Sequence, residues 1–370
     1  MRPATFDIKE ICAAFKFDGD YIGFYSIDNG HINSTYVVEF ETELEQINYY
    51  LLQEININVF RKPDELMQNI ENVTAYLTKQ IEKEGGDVNR ETLHVYRTKD
   101  DKPYYVDKNG KYWRVYNFIT NSYTCQIIED PLVLFNAAKA FGRFQCMLAD
   151  YPSETLFETI PNFHNTAVRF GDLKQAVETD AVGRASSVQK EIEFAFKREK
   201  DAHVLVDLLE KNKLPLRVTH NDTKLNNVMF DKDTNEGICV VDLDTVMPGL
   251  SLYDFGDSIR FGANTAEEDE RDLSKVSLSL SLYEQYTRGY LSTAGKSLTE
   301  LEIKYLPFSA KLMTYECGMR FLTDYLNGDT YFHTDYDDHN LVRCRTQFKL
   351  VEDIEKKLDT MSEITYACIK

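Results

Sequence analysis

Apolar and polar positions alternate in short runs over the first part of the chain. Between residues 21 and 60, runs rich in β-branched and aromatic residues are interrupted at Asp28-Asn29-Gly30 and again by a charged turn. Such runs on either side of an Asn-Gly turn are typical of β-hairpins. The pattern predicts successive antiparallel strands.

The hydrophobic period then changes to that of a helix. Residues 63–84 begin with Pro63-Asp64 and are followed by a Gly-Gly pair, and these are helix start and stop signals. Apolar residues recur there at helical spacing, namely Leu66, Ile70, Val73, Leu77 and Ile81. Two further candidate strands, residues 91–96 and 111–119, lie on either side of a hairpin signal at Asn109-Gly110. One helix among several strands predicts a small α+β lobe.

The chain becomes mainly helical after residue 130. Helical periodicity covers residues 130–151 and 170–211 and returns in three further patterns after residue 270. Between these tracts, two short apolar runs surround a polar turn at residues 231–237 and predict a hairpin. We therefore predict an α+β fold of two parts, a small antiparallel-sheet lobe over residues 1–118 and a larger, mostly helical lobe over residues 119–370.

The composition narrows the class of partner. The chain has 42 basic and 61 acidic residues and a net charge of −19, which disfavours nucleic acid or an anionic membrane as the main partner. Seven cysteines are scattered without a Cys-x-x-Cys pair, so neither a disulfide framework nor a zinc site is indicated. The N-terminal segment has acids where a signal peptide needs a basic end, and no apolar run is long enough for a membrane helix. We expect a soluble, cytoplasmic protein that acts on a small molecule; its oligomeric state is open.

Four polar residues in the middle of the chain suggest a catalytic centre. Asp222 follows His220 by two positions, and Asn227 follows Asp222 by five; Asp242 ends an apolar run further on. Two carboxylates and an amide oxygen are ligands that Mg²⁺ accepts together with water and substrate phosphates. Phosphoryl transfer needs such a metal site and one carboxylate that receives the proton of the acceptor hydroxyl. The spacing therefore points to a phosphotransferase.

The same segment carries a resemblance to a known family. Residues 220–230, HNDTKLNNVMF, and 240–258, VVDLDTVMPGLSLYDFGDS, resemble the catalytic segment of the aminoglycoside phosphotransferase-like kinases. The text is most similar to the N-acetylhexosamine 1-kinases, because residues 30–38, 52–60, 246–263, 317–332 and 339–347 resemble that group in the same order. The resemblance implies a protein-kinase-like two-lobe fold, ATP as co-substrate and Mg²⁺ as cofactor.

The resemblance also implies roles for individual residues. Asp222 would be the catalytic base, and Asn227 and Asp242 would hold Mg²⁺ against the ATP phosphates. His220 would brace the loop, and Lys224 would place a positive charge beside the transferring phosphate.

The tripeptide Asp254-Phe255-Gly256 spells the metal motif of protein kinases but lies in a different place. Asp254 is 32 residues past Asp222, whereas Asp242 is 20 residues past it and ends an apolar run, as a metal-binding aspartate should. The family pattern implies that Asp254 is structural and accepts hydrogen bonds from the backbone of the catalytic loop.

The nucleotide would be covered by the turn between the first two strands. Its candidate ligands are Gly30, Asn33, Ser34 and Thr35, and the adenine would pair with the backbone at Asn117 and Ile119. The kinase pattern also places a basic residue on the third strand, paired with a helix glutamate for which Glu71 is the candidate. The sequence has Glu54 at that position. A shifted register, a substitute cation such as Arg61 or Lys224, and weak binding of ATP remain open as explanations.

On the acceptor side, the resemblance points to Arg320, Phe261 and Tyr331 as substrate-binding residues. An arginine can donate paired hydrogen bonds to sugar oxygens, and an aromatic face suits the apolar side of a pyranose. The implied reaction is transfer of the γ-phosphoryl group of ATP to the C1 hydroxyl of N-acetylglucosamine or N-acetylgalactosamine. The alternatives are another acceptor, such as an aminoglycoside, a choline-like amino-alcohol or another sugar, and an inactive pseudokinase that only binds ligands.

Overall fold

The structure is a computed structural model that describes residues 7–27, 33–126 and 130–369. The chain divides into two compact units. The first comprises the residues up to Ser122 together with Val241–Asp244, and the second comprises Tyr123–Val240 and the residues from Thr245 onward. The sequence pattern suggested one break after residue 118. It could not indicate the return of Val241–Asp244 to the first unit, because that return depends on contacts between residues distant in sequence.

The first unit is built on one antiparallel sheet. Its strands run in the spatial order β1, β2, β3, β6, β4, and β5 also pairs with β6. The strands are β1 (Asp20–Ile27), β2 (Ser34–Glu41), β3 (Ile47–Ile55), β4 (Val95–Tyr96), β5 (Tyr105–Val106) and β6 (Tyr112–Asn117). The predicted antiparallel strands are therefore confirmed, although the turn at residues 28–30, with the candidate Gly30, lies outside the described residues.

Three helices accompany this sheet, namely α1 (Ile8–Cys12), α2 (Pro63–Glu84) and α3 (Val88–Glu91). The helix predicted from the apolar period is confirmed as α2, and all five of its periodic apolar residues are buried. Gly85 ends α2 with a positive φ of 75°, a conformation that costs glycine little.

The second unit is mainly helical. Its helices are α4 (Pro131–Met147), α5 (Thr166–Thr179), α6 (Gln189–Phe196), α7 (Glu199–Glu210), α8 (Ser251–Gly262), α9 (Leu280–Ala294), α10 (Glu300–Leu326) and α11 (His339–Ala367). Its core is a continuous apolar cluster to which α8, α10 and α11 contribute most of their buried apolar side chains. The α4 and α9 helices pack closely, because a Cβ atom on Gly142 would come within 2.5 Å of the carbonyl oxygen of Tyr290, and one on Gly289 within 2.3 Å of that of Phe135.

Short strands in the second unit hold the candidate catalytic segment. After β7 (Ser122–Tyr123), where the chain leaves the first unit, β8 (Arg217–Thr219) pairs with β11 (Met247–Gly249). The predicted hairpin is confirmed as β9 (Val228–Asp231) and β10 (Gly237–Val240). The loop between β8 and β9 therefore begins and ends at a paired strand. In the part of the chain that the structure describes, no helix combines the length and apolar character needed to cross a membrane.

Candidate active site

The loop between β8 and β9 places the predicted base between two neighbours that the sequence also singled out. Lys224 Nζ lies 2.9 Å from Asp222 Oδ1. On the other side, the amide nitrogen of Asn227 donates to the carbonyl oxygen of Asp222 at 2.8 Å and to its Oδ2 at 3.2 Å. The Asp222 side chain is 24% exposed, so it is accessible while both of its carboxylate oxygens have partners.

Asp254 supports this loop from inside the protein. It lies in the first turn of α8, is 2% exposed, and accepts hydrogen bonds from the backbone N–H groups of His220 at 2.9 Å and Asn221 at 2.8 Å. Gln145 donates to the same carboxylate at 2.7 Å, and the Thr223 hydroxyl donates to the backbone carbonyl of Asp254 at 2.7 Å. The Asp254 carboxylate therefore binds the backbone of the two residues that precede Asp222.

His220 is buried beneath the loop. Its ring meets those of Phe141 and Phe144 edge to face, with centroids 5.7 and 6.0 Å away. The backbone N–H of Asp222 lies 3.3 Å from His220 Nδ1, and the Thr245 hydroxyl donates to the His220 carbonyl at 2.6 Å. The histidine thus contacts the backbone of Asp222 and has no access to solvent.

A buried His164–Glu316 pair, which sequence reasoning missed, also reaches the loop. His164 Nδ1 is 2.7 Å from Glu316 Oε1, and its Nε2 is 3.1 Å from the carbonyl oxygen of Asn221. Burial alone would raise the pKa of Glu316, but His164 and the Thr166 hydroxyl, which donates to Oε2 at 2.6 Å, hold that pKa below its ordinary value. A signal did exist in the sequence, since Glu316 is a lone acid in the largely apolar segment 312–322.

A second buried ion pair lies one turn beyond Asp254 on α8. Arg260 Nε is 2.8 Å from Asp257 Oδ1, and its Nη1 is 2.9 Å from Glu268 Oε1. Burial would raise the pKa of Asp257, but Arg260 first, and then His164 and Lys224, lower it. Asp257 and Glu316 thus both have partners within the protein that lower their pKa values.

Arg320 on α10 lies one turn after Glu316. Its guanidinium carbon is 5.3 Å from the ring centroid of Phe163 and 5.5 Å from that of Phe332. Within residues 7–27, 33–126 and 130–369 it forms no ion pair, although it is only partly exposed. Its guanidinium group contacts two aromatic rings, and its charge helps to hold the pKa of Glu316 below its ordinary value.

The other two acceptor candidates are more exposed. Tyr331 is 65% exposed, its ring meets that of Phe332 edge to face at 4.8 Å, and its backbone N–H donates to Asp324 Oδ1 at 2.8 Å. Phe332 therefore contacts both Arg320 and Tyr331. Phe261 is 41% exposed near the end of α8, and in the described part of the chain its ring stacks on neither of these two residues.

In the first unit, several nucleotide candidates already have partners. Asn33 donates from its amide nitrogen to Asp244 Oδ2 at 2.6 Å and accepts at its amide oxygen from the backbone of Asn56 at 3.1 Å. Ser34 and Thr35 begin β2, and the Thr35 hydroxyl accepts from Gln53 Nε2 at 3.1 Å. Both polar ends of the Asn33 side chain are therefore bonded to protein.

The predicted adenine hinge also has internal partners. The backbone N–H of Asn117 donates to the carbonyl oxygen of His94 at 3.2 Å, and its side chain bonds the backbone of His94, Asn89 and Thr92. The carbonyl oxygen of Ile119 accepts from the Ser122 hydroxyl at 2.6 Å. Pairing of adenine with the Asn117 N–H would require that group to exchange partners, whereas the Ile119 carbonyl can accept a second bond.

The third strand does not carry the pair of the kinase pattern, which is a basic residue bound to a glutamate of the following helix. Glu54 on β3 is bound by Lys111 at 2.8 Å, and Glu71 on α2 is bound by Arg97 at 2.8 Å. The buried cation of this sheet is instead Arg114 on β6, which is opposite Gln53 in the register and forms an ion pair with Asp244. No local pattern in the sequence indicated this pair, because its members are 130 residues apart.

The metal candidates fall in both units, Asn227 in the second and Asp242 in the first. In the described residues, no three His, Cys, Asp or Glu side chains are grouped so as to hold a metal ion. For Mg²⁺ in phosphotransferases, substrate phosphates and water complete a small protein ligand set. The Asn227 amide nitrogen is used by the loop, so its oxygen is the atom that a cation would meet.

Comparison with known proteins places this site in a family. The sequence matches the Phosphotransferase enzyme family, APH, over residues 104–295, which is more than half of the chain. The chain belongs to this family.

Solved structures of similar proteins support the same fold. An aminoglycoside phosphotransferase from Alicyclobacillus acidocaldarius is 9% identical with a TM-score of 0.63, and 98% of each chain is covered. A choline kinase from Cryptosporidium parvum is 14% identical with a TM-score of 0.57, covering 95% of this chain and 96% of its own. An amicoumacin kinase, solved with AMP-PNP, Ca²⁺ and Ami, is 13% identical with a TM-score of 0.58 and coverage of 95% and 92%. The predicted protein-kinase-like fold class is confirmed.

The second unit of this APH-family chain contains the candidate base. Asp222 is a partly exposed carboxylate at hydrogen-bond distance from a lysine, and its backbone is fixed through the contacts of Asp254, His220 and His164. A fixed carboxylate can accept a proton from a hydroxyl placed against it, because proton transfer depends first on geometry.

Proposed function

We propose that this protein is an ATP- and Mg²⁺-dependent kinase that phosphorylates the anomeric C1 hydroxyl of N-acetylglucosamine or N-acetylgalactosamine. Membership in the phosphotransferase family supplies the reaction class. The resemblance of residues 317–332 and 339–347 to the N-acetylhexosamine 1-kinases supports the choice of acceptor. The proposed products are the sugar 1-phosphate and ADP.

The observation that carries this choice is the environment of Arg320. Its guanidinium group lies between Phe163 and Phe332 and has no ion-pair partner in the described residues. Guanidinium donors suit hydroxyl and acetamido oxygens, and aromatic faces suit the apolar side of a sugar ring. A cationic acceptor would meet the positive charge of Arg320 there, while the nearby acid Glu316 is hydrogen-bonded to His164 and to the Thr166 hydroxyl.

In the proposed reaction, the C1 hydroxyl of the sugar gives its proton to the Asp222 carboxylate. The sugar oxygen forms a bond to the γ-phosphorus of ATP while the bond to the β,γ-bridging oxygen breaks and ADP leaves. Lys224, 2.9 Å from Asp222, would hold a positive charge beside the transferred group. Asn227 and Asp242 would hold Mg²⁺, whose contribution is to neutralise phosphate charge.

A second acceptor class is a small alcohol that carries an amine. The reason to test it is that similar solved structures include a choline kinase and an aminoglycoside phosphotransferase. Their sequence identity to this chain is 9% and 14%, so they support the assignment of the fold and do not determine the acceptor. A third possibility is a pseudokinase that binds ATP without transferring phosphate.

The test is a coupled ADP-release assay with Mg-ATP and a panel of acceptors. The panel contains N-acetylglucosamine, N-acetylgalactosamine, galactose, kanamycin and choline. We expect turnover with the two N-acetylhexosamines and a sugar 1-phosphate as the product in ³¹P NMR. Turnover with kanamycin or choline alone would reject the sugar assignment, and ATP-dependent stabilisation without ADP release on any acceptor would favour the pseudokinase.

A further inference from the structure

The first unit contains a buried arginine whose donors all face the protein. Arg114 on β6 is 1% exposed. Its Nε and Nη2 donate to the Gln53 side-chain oxygen at 3.2 and 3.0 Å, and its Nη1 donates to Asp244 Oδ1. A buried arginine is costly unless its charge is paired and its donors are satisfied, and here both conditions are met. Arg114 is therefore unavailable to a phosphate, unlike the cation that the kinase pattern places on the third strand.

Asp244, the partner of Arg114, is held from two sides. Arg114 binds its Oδ1, and the Asn33 amide binds its Oδ2 at 2.6 Å. Asn33 is in turn bonded to the backbone of Asn56, and Gln53 to the Thr35 hydroxyl. The network therefore joins β2, β3 and β6 to the segment Val241–Asp244. Among the described residues after Ser122, this segment is the part that belongs to the first unit.

The same segment contains the proposed metal ligand Asp242, two residues before Asp244. Asp242 has a positive φ of 58°, and Leu243 between the two aspartates is 1% exposed. A left-handed backbone at a non-glycine residue persists only where its surroundings hold it. The next two residues, Leu243 and Asp244, have buried side chains, and Asp242 is within electrostatic range of Arg114.

We infer that Arg114 is a positioning residue for the metal site: by holding Asp244 it sets the backbone, and so the carboxylate, of Asp242. This rests on the proposed role of Asp242 as a Mg²⁺ ligand. It requires no basic residue at the third-strand position, where the chain has Glu54. The cation of this sheet comes from β6 and acts through the metal-bearing segment, without direct contact to the nucleotide.

A purely structural ion pair would also be buried and hydrogen-bonded in this way. The test therefore removes the positive charge of Arg114 and the negative charge of Asp244 together, so that neither remains buried without its partner. Arg114→Met alone leaves Asp244 as a buried unpaired carboxylate and should lower the melting temperature. Arg114→Met combined with Asp244→Asn removes both charges and should recover most of that loss. The matched control is Lys111→Met with Glu54→Gln, which removes an ion pair at β3 and beside β6 without touching residues 241–244.

The readout is the shift in melting temperature with ATP as Mg²⁺ is titrated, and no sugar is present. We expect the parent and the control pair to respond at the same Mg²⁺ concentration. The Arg114→Met/Asp244→Asn protein should need at least about 10-fold more Mg²⁺ for half of its response, because a misplaced carboxylate binds the ion less tightly. A response at the parent's concentration would show that Arg114 is structural only and would overturn the inference.

Two further variants keep the result decisive. If the double variant does not fold, Arg114→Lys keeps the charge and loses the forked geometry, and it should raise the required Mg²⁺ several-fold; an unchanged requirement would overturn the inference. Asp242→Asn should lose the Mg²⁺ response entirely. If it does not, or if the parent shows no response, both the metal role of Asp242 and this inference fail, whereas a wrong sugar acceptor leaves the experiment unaffected.

Discussion

At the scale of single residues, two aspartates have opposite environments. Asp222 is partly exposed and bonded to side chains of its own loop, whereas Asp254 is buried and accepts two backbone N–H groups and an amide. A partly exposed carboxylate can exchange its partners for a substrate, while a buried one that satisfies backbone donors cannot do so without leaving them unpaired. The two residues therefore suit different roles, which mutation can separate.

Asp222→Asn should lower turnover by about 10²- to 10⁴-fold, because the amide cannot accept the hydroxyl proton. The change keeps the side chain's shape. Its single oxygen can accept from Lys224 or Asn227, and Asn227 keeps its bond to the backbone carbonyl of residue 222, so the melting temperature and the binding of ATP should stay close to those of the parent. The measurement is kcat by ADP release together with ATP-induced stabilisation. A kcat within a few-fold of the parent would remove Asp222 from the role of base.

Asp254→Ala should destabilise the protein by about 3 kcal/mol or more, since it leaves the N–H groups of His220 and Asn221 buried without acceptors. Asp242→Asn should leave the free energy of unfolding within about 1 kcal/mol of the parent, because asparagine tolerates a positive φ, and should abolish Mg²⁺-dependent turnover. Urea unfolding and ADP release distinguish the two effects. The opposite outcome, a stable but inactive Asp254→Ala protein and an active Asp242→Asn protein, would make Asp254 the metal ligand.

At the scale of elements, α10 links the distant parts of the second unit. Its first turn contains Glu302, which receives both a forked pair of bonds from Arg217, at 2.6 and 2.8 Å, and the hydroxyl of Ser251 at 2.7 Å. Further along, Glu316 faces His164 and Arg320 faces Phe163. The helix therefore joins β8, the start of α8 and the acceptor candidates in one rigid element.

The Glu302 anchor gives a pH dependence with a definite sign. Burial would raise the pKa of Glu302, but the bonds from Arg217, Thr299 and Ser251 lower it below its ordinary value of 4.5. A carboxyl with a lower pKa in the folded state stabilises the fold fully above its ordinary pKa, and this stabilisation disappears as the pH falls through the folded-state pKa. Acid should therefore weaken this anchor below about pH 4.5.

Glu302→Gln should cost about 3 kcal/mol at pH 7, because it leaves Arg217 without its buried partner. Between pH 5 and 3 the free energy of unfolding should fall less steeply for Glu302→Gln than for the parent. The measurement is urea unfolding across this range. The control is Glu300→Gln, which lies in the same first turn but is exposed, and should follow the parent at every pH. Equal slopes for the parent and Glu302→Gln would contradict the assignment.

At the scale of the whole molecule, a strongly acidic chain leaves Arg320, at the proposed acceptor site, without an ion pair in the described residues. The net charge of −19 reflects an abundance of acids. Asp257 is bound to Arg260 and Glu316 to His164, whereas Arg320 contacts two aromatic rings and has no ion-pair partner in the described residues. Net charge governs encounter with large charged surfaces, whereas acceptor choice depends on the few groups that surround the substrate. The overall charge is therefore a weak guide to the acceptor, and the environment of Arg320 is a more direct one.

Much of this molecule follows from local patterns in its sequence. The period of the apolar residues predicted α2, the antiparallel strands and the hairpin of β9 and β10, because side-chain burial repeats with the geometry of each element. The spacing within residues 220–242 indicated phosphoryl transfer, and the loop does bring Asp222, Lys224 and Asn227 together. These features depend on residues close in sequence.

Only the tertiary structure decided the partners of the buried charged groups. Arg114 meets Asp244 across 130 residues, His164 meets Glu316 across 152, and Asp254 meets the backbone of His220 across 34. The tertiary structure also showed that the side chains of Asn33 and Asn117 are hydrogen-bonded to other parts of the protein. The sequence had suggested both residues as nucleotide contacts. The physical reason is that local periodicity fixes which face of an element is buried, while the pairing of buried charges depends on which elements pack together.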